Sequence, residues 1–456
     1  MNNNQLKKNI NIIISIIMCL TFLYLIASFI FHIDSPSSEG MSWLAIITSI
    51  IAMVYIISST NHIYGHSLAF IVYLIFTQFG TCIAVYAFKL KTLNTNSYHV
   101  TGWINSASYP YAVQLGIIAV IVLSFSVVLS GKYFRAKPYI GGHAESQKAM
   151  LSWIGNLLLI ICMYYIIYMI LTGKFLINGN YIDFLLFSKS YIRSWSKILV
   201  LLQFGFAFVF AVGTQDEKKK MIFLYFVISV ILLVTGNKGE VLYTLLAAFG
   251  VFCYKKNRLQ IKIIVIGLCI VFIMIPTITT LRNTGVINSL GKISVSISDP
   301  LVEMGYQIRL SVFMIDGISN GSRSLLYGFS YYNPIVNIIN RFIPMIPRIS
   351  PPSQYDFFTT YDTMGFSQVA ESYANYGVMG VVLFHIVIGV ILAKFDNTNK
   401  NDPIMALNMC VLIVFIIMIR NAFNFVLGQI LIAYILWMAC MQLGAYTKIK
   451  HMKYKL

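Results

Sequence analysis

The feature that most constrains this fold is a series of apolar runs, each long enough to cross about 30 Å of hydrocarbon. Only 11% of the 456 residues are charged and 58% are hydrophobic, which is far from the composition of a soluble domain. The sequence therefore predicts an all-α polytopic membrane protein with about twelve transmembrane helices. The runs lie near 10–33, 41–59, 67–88, 111–130, 151–172, 198–213, 221–236, 240–254, 261–281, 378–395, 403–420 and 428–446.

The distribution of basic residues predicts which side of the membrane each connection occupies. The first run follows Lys7 and Lys8 and lacks a cleavage pattern, so it is expected to stay as a span. Twelve spans place both termini on one side, and lysine-rich connections such as 218–220 assign that side to the cytoplasm. Short basic loops beside anionic lipid explain most of the net charge of +18, so no nucleic-acid partner is expected.

Arginine follows a different pattern, since seven of the nine arginines fall on the predicted outer side. Guanidinium groups bind phosphate oxygens through paired hydrogen bonds, so the enrichment favours a reaction with a diphosphate leaving group; contact with lipid phosphate is the alternative. The outer arginines are Arg193, Arg282, Arg309, Arg323, Arg341, Arg348 and Arg420. Lys238, in the turn "TGNKGE", adds a basic group beside two glycines, although the same turn is also typical of a tight interhelical connection.

One long segment, 282–377, separates spans 1–9 (1–281) from spans 10–12 and the basic tail (378–456). It has helical patterns at 299–318 and 333–348, which predict a folded cap outside the membrane. The segment contains no histidine, so a general base within it should be a carboxylate. The chain shows no Walker motif, no Asp-x-Asp pair and no CxxC pair among its seven cysteines, so no metal site is expected.

The end of that segment, "TMGFSQVAESYANYGVMG" (363–380), carries the acid Glu371 just before an apolar run. On a helical wheel, five polar residues share one arc of about 140°, and apolar residues fill the opposite side. The five are Ser367, Gln368, Glu371, Ser372 and Asn375. Two interpretations remain open: a functional polar stripe that leads into the tenth span, or an interfacial helix with a water-facing side.

These features together resemble the Wzy-type O-antigen and capsular repeat-unit polymerases of bacteria. The resemblance lies in the number of spans, the large loop before the last three, the "GNKG" turn and "GFSQVAESYANYGVMG". It implies a GT-C-like architecture, with undecaprenyl-diphosphate-linked oligosaccharides as donor and acceptor. It also implies a reaction on the outer face of the cytoplasmic membrane, without nucleotide or metal, and a chain-length regulator as a partner. The family's basic turn position falls on Lys238, where arginine is more frequent, and Glu371, Tyr373, Asn375 and Gly377 match the second motif.

Our mechanistic hypothesis assigns Glu371 as the general base, with Asp362 as the substitute. Arg282 and Arg309 are the expected diphosphate clamp, and Lys238 and Arg420 complete a basic ring. The remaining candidates for substrate binding are Arg323, Arg341, Arg348, Tyr373 and Asn375.

Three alternatives come from other functional classes. An O-antigen ligase shares this architecture, but the ligases used for comparison have a histidine in the large loop. A lipid-linked oligosaccharide flippase needs charged residues along a path within the spans, whereas the arginines here cluster outside. A solute transporter is disfavoured because no internal repeat is visible.

Overall fold

The computed structural model shows a helical protein. The structure describes residues 3–31, 37–59, 64–89, 94–95, 98–99, 101–134, 144–173, 195–234, 238–259, scattered positions between 262 and 278, 298–343 and 366–453. A two-residue antiparallel pair, β1 (Asn94–Thr95) with β2 (Tyr98–His99), is the only sheet within that part of the chain.

The helices of the first half are α1 (Asn3–Ile30), α2 (Ser38–Ser58), α3 (Gly65–Cys82, continued by a π-helical turn Ile83–Ala87), α4 (Thr101–Ile104), α5 (Tyr109–Gly131), α6 (Ala144–Gly173) and α7 (Trp195–Val212). Those of the second half are α8 (Gln215–Val234), α9 (Lys238–Lys256), α10 (Ser298–Gly305), α11 (Ile308–Ser319), α12 (Phe329–Phe342), α13 (Gln368–Asp396), α14 (Ile404–Met418) and α15 (Asn424–Lys453). Eleven of the predicted runs thus correspond to helices, and the ninth lies largely outside the described residues.

Seven helices in the described part are long and apolar enough to cross a membrane: α1, α2, α3 with its π-turn, α5, α6, α13 and α15. Two more, α7 and α14, are apolar but shorter. The chain is therefore a multi-pass membrane protein by these criteria, while the total of twelve spans and the cap outside the membrane stay predictions. The helical pattern predicted for 299–318 is observed as two helices, α10 and α11, separated at Tyr306 and Gln307.

The chain forms two compact units, which are interleaved in sequence. The first comprises Met1–Arg135, Leu301–Asn397 and Phe415–Gly428, and the second comprises Ala136–Pro300, Thr398–Val414 and Gln429–Leu456. In the second unit, α6 and α7 pack closely where Gly155 and Gly205 face each other, since a Cβ on either glycine would lie 2.8 Å from the other's carbonyl oxygen. Small residues at a crossing let two membrane helices approach and gain van der Waals contact.

In the first unit, α5 is the central helix, buried along almost its whole length and packed against α13, α2, α3 and α11. Its contact with α13 is close because Gly389 leaves room for Ser126, whose hydroxyl donates to the Ile386 carbonyl at 2.8 Å. This packing holds α13 in place, and α13 carries the motif that contains Glu371.

A buried polar cluster joins the beginning of α3 to the end of α13. Asp396 and His66 are both fully buried, and one carboxylate oxygen accepts from the His66 backbone N–H and from Nδ1, at 2.8 and 2.7 Å. The other oxygen accepts from the Ser67 backbone N–H at 3.0 Å and its hydroxyl at 2.6 Å. Asp396 therefore caps α3 from a helix that is distant in the sequence. It accepts from N–H groups in the first turn of α3, which have no carbonyl partner within that helix.

We expect Asp396→Asn to lower the free energy of unfolding by about 3 kcal/mol, because an amide NH₂ would face donors that now share a carboxylate. Thermal unfolding of the purified protein in detergent, followed by tryptophan fluorescence, measures this. Asp216→Asn is the matched control, since the Asp216 side chain is 87% exposed. Equal melting temperatures for the two variants would contradict a stabilising role for the Asp396 cluster.

Candidate functional site

The polar stripe around Glu371 is buried inside the first unit. Helix α13 begins at Gln368, ten residues before the predicted tenth run, with Ser367 as its N-cap. Each of the five polar residues of the stripe is at most 1% exposed. The interpretation of this stretch as an interfacial helix with a water-facing side is therefore wrong, because the polar side faces protein.

Glu371 is held by the turn that follows α14. Its Oε2 accepts a hydrogen bond from the backbone N–H of Phe423 at 2.9 Å. Its Oε1 is buried and has no partner of hydrogen-bonding geometry among the described residues, with the Ser330 hydroxyl as a near neighbour. One carboxylate oxygen is thus used to position the group, and the other is available to a ligand donor.

Helix α12 supplies the polar neighbours of the stripe. The Asn375 side-chain amide donates to the Ser330 hydroxyl and to the Glu371 carbonyl, both at 2.8 Å. Tyr331 donates to the Ser372 hydroxyl at 3.0 Å. Burial, and then the nearby Glu371 carboxylate, raise the pKa of the Tyr331 phenol well above its usual value. Tyr331 therefore stays protonated and serves as a fixed hydrogen-bond donor.

A buried histidine that the sequence analysis did not identify, His385, supports the beginning of the stripe. The Nδ1 of His385 lies 2.7 Å from the Val381 carbonyl and so carries the proton, which leaves Nε2 to accept from Gln368 at 3.1 Å. His385 stands in an apolar run, where a histidine is usually interpreted as core. Residues seventeen apart in a continuous helix are separated by about 25 Å, so the sequence carries no signal for this contact, which forms because the chain turns back at Tyr376 and Gly377.

Helix α13 is broken just after Asn375. Tyr376 and Gly377 have non-helical backbone angles, and the φ of +60° at Gly377 is one that glycine adopts without a steric penalty. The N–H groups of Leu326 and Tyr327 donate to the carbonyls of Ala374 and Asn375 at 2.8 and 3.0 Å. Tyr327 itself has a left-handed backbone, φ +48°, which costs about 1–2 kcal/mol in a residue with a side chain.

Arg420 lies on the turn that also binds Glu371. Its carbonyl accepts from the Phe366 N–H at 2.7 Å. When the Gln307 carboxamide is oriented so that its nitrogen donates to the Phe366 carbonyl at 3.0 Å, its oxygen accepts from Nε and Nη2 of Arg420, at 3.2 and 3.1 Å. Three distant segments thus form a closed ring of hydrogen bonds that orients the Arg420 guanidinium.

Arg309 is also in the first unit, on α11, which packs against α13. It is only 3% exposed, and its guanidinium carbon lies 3.7 Å from the centre of the Tyr306 ring. Stacking on an aromatic face stabilises a guanidinium group where few water molecules reach it. Arg309 is therefore a buried cation close to the helix that carries Glu371.

The other predicted site residues have separate locations. Tyr373 faces α1, with its ring 6.3 Å from that of Phe29, so it lies outside the polar cluster. Arg323 is half-buried against Gly317, and Arg341 is exposed on α12. Lys238 is half-buried and begins α9 in the second unit. The predictions for Arg193, Arg282, Arg348 and Asp362 concern positions outside the described residues.

Comparison with known proteins gives two matches over nearly the whole chain. Residues 12–450 match the family described as O-antigen polysaccharide polymerase Wzy. The chain is 26% identical over 428 residues to Protein CapE of Staphylococcus aureus, covering 92% of this chain and 94% of the relative. No solved structure shows significant similarity. Because the family match extends from α1 to α15, this protein belongs to the O-antigen polysaccharide polymerase Wzy family.

Proposed function

We propose that this protein joins oligosaccharide repeat units carried on undecaprenyl diphosphate into a longer polysaccharide, on the outer face of the bacterial cytoplasmic membrane. The growing chain leaves its diphosphate carrier and is transferred to a hydroxyl of the next lipid-linked unit. Both termini are cytoplasmic in this proposal, and the partner protein is a chain-length regulator. The similarity to Protein CapE of Staphylococcus aureus favours a capsular product.

The observation that carries the proposal is a row of buried acceptor oxygens on one face of α13. Oε1 of Glu371, Oδ1 of Asn375 and Oε1 of Gln368 are all buried without a hydrogen-bond partner in the described part of the chain. Each such oxygen costs about 1–3 kcal/mol if it stays unpaired, so a ligand rich in hydroxyl donors would be bound favourably. A sugar is such a ligand.

Glu371 then acts as the general base. In the proposed step, Oε1 of Glu371 takes the proton of the acceptor hydroxyl. At the same time the oxygen of that hydroxyl bonds to the anomeric carbon of the donor sugar. The bond from that carbon to the diphosphate breaks, and the diphosphate leaves with the electron pair. The hydrogen bond from the Phe423 backbone N–H to Oε2 keeps the carboxylate in one orientation. This fixed geometry favours proton transfer.

The leaving diphosphate needs cations, and the first unit supplies two guanidinium groups near α13. Arg420 is oriented by Gln307, and Arg309 is held over Tyr306. A preorganised guanidinium stabilises charge as it develops on the leaving group, which is usually the larger part of such catalysis. We therefore assign Arg420 and Arg309 to the diphosphate. On the sequence alone, Lys238, Arg282, Arg323, Arg341 and Arg348 stay candidates for substrate binding.

We predict that Glu371→Gln lowers the rate of polymerisation by about 10²- to 10⁴-fold, because the amide still accepts from Phe423 but takes up no proton. Cells that lack their own copy are complemented with each variant, and polymer length is read on a gel after membrane levels have been matched by blotting. Glu145→Gln, at an acid whose side chain is 89% exposed, is the control and should give wild-type ladders. Normal ladders from Glu371→Gln would refute the assignment of the base, and loss of all surface glycan would point to flipping.

We predict that Arg420→Lys reduces polymerisation by about ten- to a hundredfold, because lysine keeps the charge but loses the paired donors. The same complementation gel measures this, together with the melting temperature of the purified protein. Arg258→Lys, at an exposed arginine of the second unit, is the matched control. If Arg420→Lys polymerises at the wild-type rate, a point charge is sufficient and the orientation by Gln307 has no catalytic role.

A further inference from the structure

Three exposed tyrosines surround the break in α13. Tyr327, Tyr376 and Tyr332 are 70%, 46% and 42% exposed, respectively. Tyr327 lies in the turn that binds the broken end of α13, Tyr376 is at the break, and Tyr332 is in the first turn of α12. Tyr327 and Tyr376 therefore lie where α13 meets the turn before α12, next to the Glu371 stripe, and Tyr332 follows one helical turn later.

The backbone of Tyr327 is in a conformation that most side chains avoid. Its φ is +48°, and the next residue, Gly328, has a φ of +87°. Glycine and asparagine adopt this left-handed region readily, whereas a tyrosine is strained there. The bond from its N–H to the Asn375 carbonyl needs only the backbone. The chain thus keeps a large, mostly exposed ring at a position where glycine would satisfy the same backbone bond with less strain.

Tyr376 lies across the same turn. A Cβ added to Gly328 would be only 2.4 Å from the Tyr376 hydroxyl oxygen, so the Tyr376 side chain passes directly over Gly328. Tyr332 is anchored there as well, because its N–H donates to the Gly328 carbonyl at 3.1 Å. Its ring meets Phe329 edge to face, with ring centres 5.4 Å apart. The Tyr327 and Tyr376 side chains therefore meet at a turn whose backbone is held by hydrogen bonds to α13.

We propose that Tyr327 and Tyr376 form a subsite for a pyranose ring of the repeat unit, beside the reacting sugar at Glu371. This assignment rests on the proposed function. A tyrosine offers an apolar face and a hydroxyl at its edge, which matches a pyranose with a face of C–H bonds and hydroxyls around its rim. Asn375 connects the tyrosine subsite to Glu371. Its carbonyl accepts from the Tyr327 backbone N–H, and its side-chain amide donates to the Glu371 carbonyl.

A belt of tyrosines at the membrane interface is the competing explanation for exposed rings. Such a belt needs no strained backbone, and loss of one ring from it changes neither substrate affinity nor polymer length. The subsite predicts instead that loss of the ring raises the KM for lipid-linked repeat units and leaves kcat nearly unchanged. Tyr327→Asn separates the two explanations because asparagine tolerates the left-handed backbone.

The experiment compares wild type, Tyr327→Asn, Tyr327→Phe and Tyr133→Asn as purified proteins. The substrate is the lipid-linked repeat unit extracted from polymerase-deficient cells. We expect Tyr327→Asn to melt at the wild-type temperature or above and to raise KM by about tenfold or more, with Tyr327→Phe between the two because it keeps the apolar face and loses the hydroxyl. Tyr133→Asn removes a tyrosine that is 86% exposed just after α5 and should leave KM unchanged.

The outcomes distinguish this proposal from the one on which it rests. An unchanged KM for Tyr327→Asn overturns the subsite, even when Glu371→Gln is inactive and the proposed function stands. A lower melting temperature for Tyr327→Asn also overturns it, because the ring then has a structural role. If Glu371→Gln keeps wild-type activity, the assignment of the base fails, whatever Tyr327→Asn shows.

Discussion

The site depends on how the broken helix α13 satisfies its backbone groups. Ala374 and Asn375, whose carbonyls the break leaves without helical donors, are buried, so another part of the chain must supply the donors. The N–H groups of Leu326 and Tyr327 do this for Ala374 and Asn375. The same docking brings Ser330 and Tyr331 against the stripe, so the break and the polar neighbours of Glu371 have one structural cause.

The turn after α14 holds the stripe at its other end. Phe366 and Gln368 donate through their backbone N–H groups to the carbonyls of Arg420 and Ile419, while Phe423 donates to Glu371. Arg420 and Glu371 are therefore positioned by the same short turn. The proposed base and the proposed diphosphate ligand therefore depend on the same few hydrogen bonds of this turn.

Much of the fold follows from the sequence, because runs of apolar residues at membrane length have few alternatives to helices. The motif around Glu371 and the arc that it shares with Asn375 were also predictable from helical spacing. Burial of that arc was not, since an amphipathic pattern does not distinguish water from a polar protein partner. The Gln307 contact with Arg420 was equally hidden, because it joins segments distant in sequence and depends on the break between α10 and α11.

Gln368, Glu371 and Asn375 each make a hydrogen bond that supports the fold, yet each also keeps one buried oxygen without a donor among the described residues. A buried carbonyl or carboxylate oxygen without a donor destabilises the folded chain by about 1–3 kcal/mol, and apolar residues of similar shape would avoid that loss. The tight packing of α5 against α13 contributes the stability that offsets it. Buried acceptors at helical spacing, a carboxylate fixed through one oxygen and a strained tyrosine at the adjoining break are features that a ligand rich in hydroxyl groups would explain together.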